Sequence, residues 1–311
     1  MSFQVDTAFI KQFNSTVSIL LQQKGSKLRS CVTEETMHGE EQFFEQVGPV
    51  VAEEVTTRHG DSPLISTLHD RRRITLRFFD WGDMIDNFDK VRMLIDPTSP
   101  YTQVAVNALG RAIDDVLTGT TASSSGESTI TYDSAGGTSG VFYGTAFTGK
   151  AAGTSVAFPS GQKIAVNFGG TNVGITIPKL IESRRLFAKG NVDLDMEEMY
   201  AAISSRGLAD LLNTTQVTSA DFNSVKALVG GDVDSLLGYT IKRTERIPQD
   251  GTSWLYPVWA KSGVKLGVAK DINTEVARRP DKRFSWYVYA SMGVGGVRME
   301  EAKVVQIAGL I

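Results

Sequence analysis

The chain has 311 residues, 41% of them apolar and 22% charged, which is enough apolar material for two compact lobes and excludes global disorder. A formal charge of −3 gives no sign of a nucleic-acid reader, which usually carries a basic face, and leaves open a surface that encloses nucleic acid. The one cysteine, Cys31, cannot close an intrachain disulfide and fits a reducing compartment; no apolar run approaches the ~20 residues of a membrane span, and Met1–Phe9 lacks a signal peptide's residue order.

Residues 1–32 read as a separable arm. Val5, Phe9, Ile10, Phe13, Val17, Leu20 and Leu21 recur at helical spacing, and Lys24-Gly25-Ser26-Lys27 stops the run. The apolar stripe has two placements open to it, on its own domain or on a neighbouring subunit. Residues 41–85 read as a long two-stranded arm. Glu41–Val55 mixes aromatic and β-branched residues with polar ones. Arg73–Trp81 alternates with period two, with Ile74, Leu76 and Phe78 on one side and Arg73, Thr75, Arg77 and Phe79 on the other. Thr56–Arg72, rich in charge and turn formers, is the expected tip. An isolated hairpin is marginal in water, so intersubunit contact is the economical expectation.

Asp96–Leu117 organises the rest. Ser99 and Pro100 form a helix start, and Tyr101, Val104, Ala105, Ala108, Leu109, Ala112, Ile113, Val116 and Leu117 make one apolar stripe. Arg111, Asp114 and Asp115 fall off that stripe or on its edge. A spine helix over 99–117 follows, about 27 Å long at 1.5 Å per residue. Gly119–Gly174 is rich in Gly, Ser and Thr, with β-like pieces at Thr129–Tyr132, Val141–Tyr143 and Val156–Phe158. It reads as an inserted β-rich segment.

Ile177–Lys189 is a second helix, with Pro178 near its start and Gly190 after its end. Asp193–Ile247 reads as a small α/β lobe: a strand at Glu198–Ile203, helices at Ser205–Leu212 and Ser219–Val229, and a strand at Tyr239–Thr244. Strands follow at Trp254–Trp259, Val264–Ala269 and Phe284–Met292. A terminal pair around Gly293–Gly296 leads into Val297–Ile307, which is expected to return to the first lobe.

Catalytic signals are weak. Gly60-Asp61-Ser62-Pro63-Leu64 resembles the box of a serine esterase family, but the reaction needs a histidine on the serine, typically from near the chain end. All three histidines, His38, His59 and His69, precede residue 70, and the box falls in a hairpin tip. His59 and His69 with Asp61 and Asp70 lack the usual metal-ligand spacing. Gly169–Gly174 and Gly293–Gly296 are not phosphate loops, because no Gly-Lys-Ser/Thr follows and neither fits a dinucleotide fingerprint; both read as turns. Arg71-Arg72-Arg73 with Arg77 is the densest basic cluster, and acidic blocks flank it: Asp80, Asp83, Asp86 and Asp89 after, Glu34 to Glu54 before. Opposite charges in blocks suit repeated subunit contacts better than phosphate binding. No catalytic, cofactor or metal site is expected.

Together the basic amphipathic arm, extended hairpin, spine helix, α/β lobe and returning strand resemble the major capsid proteins of tailed bacteriophages. The resemblance is most specific over Arg58–Val116: Arg58-His59-Gly60-Asp61-Ser62-Pro63-Leu64, then His69-Asp70-Arg71-Arg72-Arg73-Ile74-Thr75-Leu76, and Asp89-Lys90-Val91-Arg92-Met93-Leu94-Ile95-Asp96-Pro97-Thr98-Ser99-Pro100-Tyr101. It implies an α+β chain with the capsid fold shared by tailed phages and herpesviruses. Residues 1–40 would be an N-terminal arm and 41–82 an extended loop. Residues 83–192 would be a peripheral domain with the 119–174 insertion, 193–285 an axial domain, and 286–311 return strands of the peripheral domain.

The implied function is a shell subunit that assembles as hexamers and pentamers and encloses double-stranded DNA without reading its sequence. The implied partners are a portal protein and separate scaffolding and decoration proteins, with assembly in the bacterial host cytoplasm and no membrane. The candidate interface residues are Phe9 and Phe13 on the arm, with Phe43, Phe44, Arg58, Arg71, Arg72, Arg73, Arg77, Phe79 and Trp81 along the hairpin. The arginines are expected to pair with neighbours' carboxylates. Some relatives cross-link a lysine of the extended loop to a neighbour's asparagine, but no lysine stands between Lys27 and Lys90, so no such cross-link is expected. The opening of the chain directly with the arm implies a separate scaffold or none. Rival readings are an encapsulin-like compartment, a phage tail or decoration protein, and the esterase.

Overall fold

A computed structural model describes residues 22–54, 56, 58, 62, 64–86, 98–119, 140–148, 155–213, 235–250 and 253–311. The chain divides into two compact units. One comprises Met1–Gly25, Phe78–Arg111 and Lys270–Met292; the other comprises Ser26–Arg77, Ala112–Ala269 and Gly293–Ile311. The elements in chain order are β1 (Thr33–Thr36), β2 (Glu41–Val47), β3 (His69–Thr75), β4 (Arg77–Ile85), α1 (Thr98–Thr118), β5 (Ala146–Thr148), β6 (Ser155–Val156) and β7 (Lys163–Ile164). Then come α2 (Ile177–Lys189), β8 (Met199–Ile203), α3 (Ser205–Leu212), β9 (Ser235–Leu236), β10 (Tyr239–Arg243), β11 (Gln249–Asp250), β12 (Ser253–Ala260), β13 (Val264–Arg279), β14 (Ser285–Arg298) and β15 (Val304–Leu310). The mixed α+β class is as expected.

The larger unit is built on a seven-stranded sheet in the order β7-β15-β12-β8-β10-β9, with β11 paired to β12. Tyr239 to Arg243 run parallel to Met199 to Ile203, whereas β12 is antiparallel to both β8 and β15. Phe187 and Leu180 of α2 bury against Tyr239, Tyr256, Val305 and Ile307, and each fully buried side chain of this size contributes roughly 1.5–3 kcal/mol. Trp259 is buried with Phe142 4.6 Å away and Tyr200 stacked at 6.0 Å, and its indole N–H donates to the Cys31 carbonyl at 2.9 Å. At the start of α3, Ser204 Oγ accepts from Gly207 N at 3.2 Å, an N-cap that ends β8 and begins the helix. A second sheet of this unit, β2-β3-β5-β6, carries the arm.

In the smaller unit the outer parts of β13 and β14 form a hairpin, and β4 lies beside β14 at the end of the strand order. Gly82 of β4 lies so close to the Tyr287 hydroxyl that a Cβ would overlap it. Tyr287 in turn stacks on Tyr289 at 6.0 Å.

Several sequence expectations are corrected. The run Arg73–Trp81 is not one strand: it splits at Leu76, whose N–H donates to Glu40 O at 3.0 Å, and β3 and β4 join different sheets. Ile74 is therefore buried while Phe78 is 74% exposed, although period two put them on one face. The partner strand ends at Val47 instead of Val55, because after the Gly48 N–H to Leu68 O bond at 2.7 Å comes Pro49, which has no N–H to offer. Val141–Tyr143 is a buried turn, not β. The N–H groups of Val141 and Phe142 satisfy the Val116 and Leu117 carbonyls at the end of α1, where helix carbonyls lack internal partners.

Asp114, placed off the spine's apolar stripe or on its edge, is fully buried. Its carboxylate accepts from Ser26 Oγ and from the N–H groups of Lys27 and Leu28, both at 3.1 Å. β13 continues ten residues past Ala269. Gly293–Gly296 lies inside β14 and is no turn; a short 3-10 turn at Glu301–Lys303 then interrupts the expected run Val297–Ile307. The last strand pairs with β12 and β7, which places 304–310 in the sheet that also holds residues 199–260. The helices expected near residues 5–21 and at Ser219–Val229, and the β piece Thr129–Tyr132, lie outside the described residues. Gly169–Gly174 does form turns.

Candidate assembly surfaces

The arm is built by β2 and β3 in antiparallel register, from Glu41 opposite Thr75 to Val47 opposite His69. Alternation sets its two faces. Phe44, Arg72 and Ile74 turn inward, and Phe44 carries the Lys265 ammonium 4.5 Å over its ring. Phe43 and Val47 turn outward. Beyond the paired part, Val50, Val51, Leu64, Ile65 and Leu68 are also exposed. These apolar side chains fall on a segment with little local chain to cover them.

The arginine cluster is not a uniform outward patch. Arg71 is exposed and pairs with Glu45 at 3.1 Å. Arg73 pairs with Glu41 at 3.2 Å and lies 4.8 Å over the Phe147 ring. Arg72 is buried: its Nε donates to Met299 O at 3.0 Å and its Nη2 to both Glu301 oxygens at 3.0 Å. Gln46 Nε2 reaches the same Met299 carbonyl at 2.7 Å. The three arginines thus find carboxylates within their own chain, and the expected pairing with neighbours' carboxylates is not needed to satisfy them. Arg58 and Arg77 are exposed; Phe79 and Trp81 are half-buried on β4. Phe9 and Phe13 lie outside the described residues. The outward side chains missed by the sequence reading are Val47, in the run taken as strand, and Leu64 and Leu68, in the stretch taken as the tip.

Two buried cations fix the base of the arm and the lobe. Arg298 donates to Phe142 O and Gly144 O, both at 2.9 Å, and lies 5.2 Å over the Phe158 ring. Burial pulls its pKa down to about 10, with Glu301 opposing. The Lys179 ammonium lies 2.8–3.0 Å from four carbonyls, Val166, Val173, Gly174 and Ala308, which share its three N–H donors. Burial lowers its pKa to about 8, and the Asp210 carboxylate acts against this. Lys179 ties the 166–174 turns to the last strand. Among the described residues no cluster of three His, Cys, Asp or Glu could hold a metal ion, and no helix is long and apolar enough to cross a membrane. Ser62 of the esterase-like box is exposed; His59, Gly60, Asp61 and Pro63 lie outside the described residues.

A family model described as phage capsid protein matches residues 5–310. The chain belongs to that family. The fold agrees. The capsid of cyanophage P-SCSP1u is similar with a TM-score of 0.72 at 15% identity, covering 98% of this chain and 94% of the other. The capsid of Ralstonia phage GP4 is similar with a TM-score of 0.73 at 8% identity, covering 97% and 95%. A structure from Mycobacterium phage Che8 gives 0.61 at 18% identity, covering 96% and 97%. No curated protein sequence matches this chain. Family and fold together make this chain a phage capsid protein, a structural protein.

Proposed function

We propose that this capsid protein closes an icosahedral or prolate shell of hexamers and pentamers around double-stranded DNA, with the β2–β3 arm of each copy lying on a neighbour. The carrying observation is the arm itself. Its paired base, Glu41–Val47 against His69–Thr75, is anchored through Arg72 to Met299 and Glu301, while Val47, Val50, Val51, Leu64 and Leu68 beyond it are exposed. Exposed large apolar side chains gathered on one segment fit a protein–protein contact. Many modest contacts repeated under closed symmetry give a stable shell.

In this reading residues 1–40 are the N-terminal arm and 41–82 the extended loop. Residues 83–192 are the peripheral domain, 193–285 the axial domain and 286–311 strands that rejoin the peripheral one. Phe43, Arg58, Arg77, Phe79 and Trp81 serve interfaces directly, and Phe9 and Phe13 anchor the N-terminal arm. A portal protein, scaffolding and decoration proteins are partners, and assembly takes place in the host cytoplasm. Strength comes from non-covalent contacts, because the arm holds no lysine.

Negative-stain electron microscopy of the protein expressed alone and with its scaffold tests the proposal. Closed particles of uniform size are the expected result. A discrete small oligomer, or tubes under both conditions, overturns it. Hydrolysis of a p-nitrophenyl ester by the wild type but not by Ser62→Ala would favour the esterase instead.

A further inference from the structure

We propose that the cavity between the base of the arm and the 140–147 segment binds an oxyanion of the phosphate class. The cavity lies within the larger unit and has a volume of about 140 Å³, which is room for a tetrahedral oxyanion. Arg73, Arg77 and Arg298 line it, together with Thr75 and Thr145, whose hydroxyls can donate. Among the described residues no aspartate or glutamate lines it.

The chain brings these cations together from separate places. Arg73 and Arg77 flank the split at Leu76, where β3 gives way to β4, and Arg298 ends β14. Gly140 lets the opposite wall close on α1, because a Cβ there would overlap the backbone of Thr118 and Gly119.

The charges around the cavity do not balance. Glu41 pairs with Arg73, and Glu301 is shared between Arg72 and Arg298. Arg77 is exposed and makes no ion pair among the described residues. Four guanidiniums (Arg72, Arg73, Arg77, Arg298) against two carboxylates (Glu41, Glu301) leave two positive charges over. That excess equals the charge of a phosphate dianion.

Donors are left over as well. Arg298 is 1% exposed, and its Nη1 and Nη2 donate to the Phe142, Gly144 and Val156 carbonyls. Its Nε is buried without a hydrogen bond, 3.8 Å from Glu301, and the buried Nε of Arg73 has none either. Buried N–H groups normally find acceptors, so two orphaned guanidinium donors on one cavity point to a ligand rich in acceptor oxygens. The pKa of Arg298 agrees: burial and the nearby Arg72 pull it down to about 10, and Glu301 alone opposes them. A carboxylate would bring only one charge. Guanidinium forks match phosphate oxygens in both geometry and charge. Inorganic phosphate and the backbone of nucleic acid offer this same chemistry.

The test is calorimetric titration of inorganic phosphate into unassembled full-length subunits at fixed ionic strength, so that neither shell formation nor an interface role of Arg77 enters. The wild type is expected to bind saturably. Arg77→Gln and Arg73→Gln are each expected to weaken binding roughly tenfold, as loss of a charge-assisted hydrogen bond implies. Arg71→Gln removes the same charge beside the cavity but outside its wall, and is expected to bind as the wild type does. Circular dichroism checks that each variant folds; should Arg73→Gln misfold, the exposed Arg77 decides alone.

A duplex DNA oligomer that displaces phosphate from the wild type assigns the site to a nucleic-acid phosphodiester, and one that does not assigns it to free phosphate. Absence of saturable binding, undiminished binding by Arg77→Gln, or equal weakening by Arg71→Gln overturns the proposal. Failure to form shells would overturn the shell-forming reading and leave this one standing.

Discussion

Arg72→Met probes the link between the arm and the lobe. The Arg72 side chain is 6% exposed and that of Glu301 is 23% exposed. Removing one partner of a fully buried pair costs about 3–5 kcal/mol, because the other charge is stranded. Here the loss is smaller. Glu301 is partly solvated and keeps Arg298 at 3.8 Å, and the Met299 carbonyl keeps Gln46 Nε2 at 2.7 Å. The expected destabilisation is about 2–3 kcal/mol. Arg71→Met, which breaks an exposed pair, is expected to cost about 0–1 kcal/mol.

Urea unfolding of unassembled subunits, followed by circular dichroism, measures both. A double-mutant cycle with Glu301→Gln should give a coupling above about 1 kcal/mol. Arg72→Glu should fail to fold, since it sets a second carboxylate against Glu301 and the Met299 carbonyl. Arg72→Met within about 0.5 kcal/mol of wild type, with coupling indistinguishable from zero, would refute the reasoning.

Lys179→Met removes the cation shared by four carbonyls, of which Val166 O and Val173 O keep backbone donors, and should lower stability by roughly 1–3 kcal/mol at neutral pH, measured by urea titration. The folded pKa of Lys179 lies below its unfolded value, so the unfolded chain binds the proton more tightly between about 8 and 10.5. Wild-type stability should therefore gain on Lys179→Met as pH rises through that window, as melts at both ends would show. Gly295→Ala places a methyl against Thr75 O and 2.8 Å from Ile74 Cγ2, a backbone approach that cannot relax cheaply. A loss of about 1–3 kcal/mol is expected in thermal melts. Val47→Ser with Leu68→Ser should leave the subunit's melting temperature unchanged and lower shell yield in sedimentation.

The helices at Ile177–Lys189 and Ser205–Leu212 were legible to the residue because local chemistry ends them: Pro178 and Gly190 for one, the Ser204 cap for the other. The strands Tyr239–Arg243 and Met199–Ile203 were legible because apolar runs are short and bounded. What the sequence hid was decided at a distance. Residues 270–279, Lys270 to Arg279, are largely polar and become strand only because β14 lies alongside. Gly293–Gly296 carries the composition of a turn, yet Gly295 is there to let the Thr75 backbone approach.

Charge patterning found the arginine cluster but could not rank its members. Alternation alone would have turned Arg72 inward with Ile74, had a buried arginine been allowed for. Asp114 was misjudged likewise: its three hydrogen-bond donors come from Ser26, Lys27 and Leu28, almost ninety positions earlier.

The position of β15 has a consequence for synthesis. A ribosome delivers the chain from residue 1 onward, and domains fold as their parts emerge. The sheet of the larger unit holds β7, made early, on one side of β15 and β12 on the other. Until residues 304–310 leave the exit tunnel, that sheet has a gap in its interior, and Lys179 lacks the Ala308 carbonyl that joins its turn to the strand. Nascent chains therefore cannot present a finished lobe to one another on a crowded polysome. A chain truncated before β15 is likewise expected to lack a finished lobe.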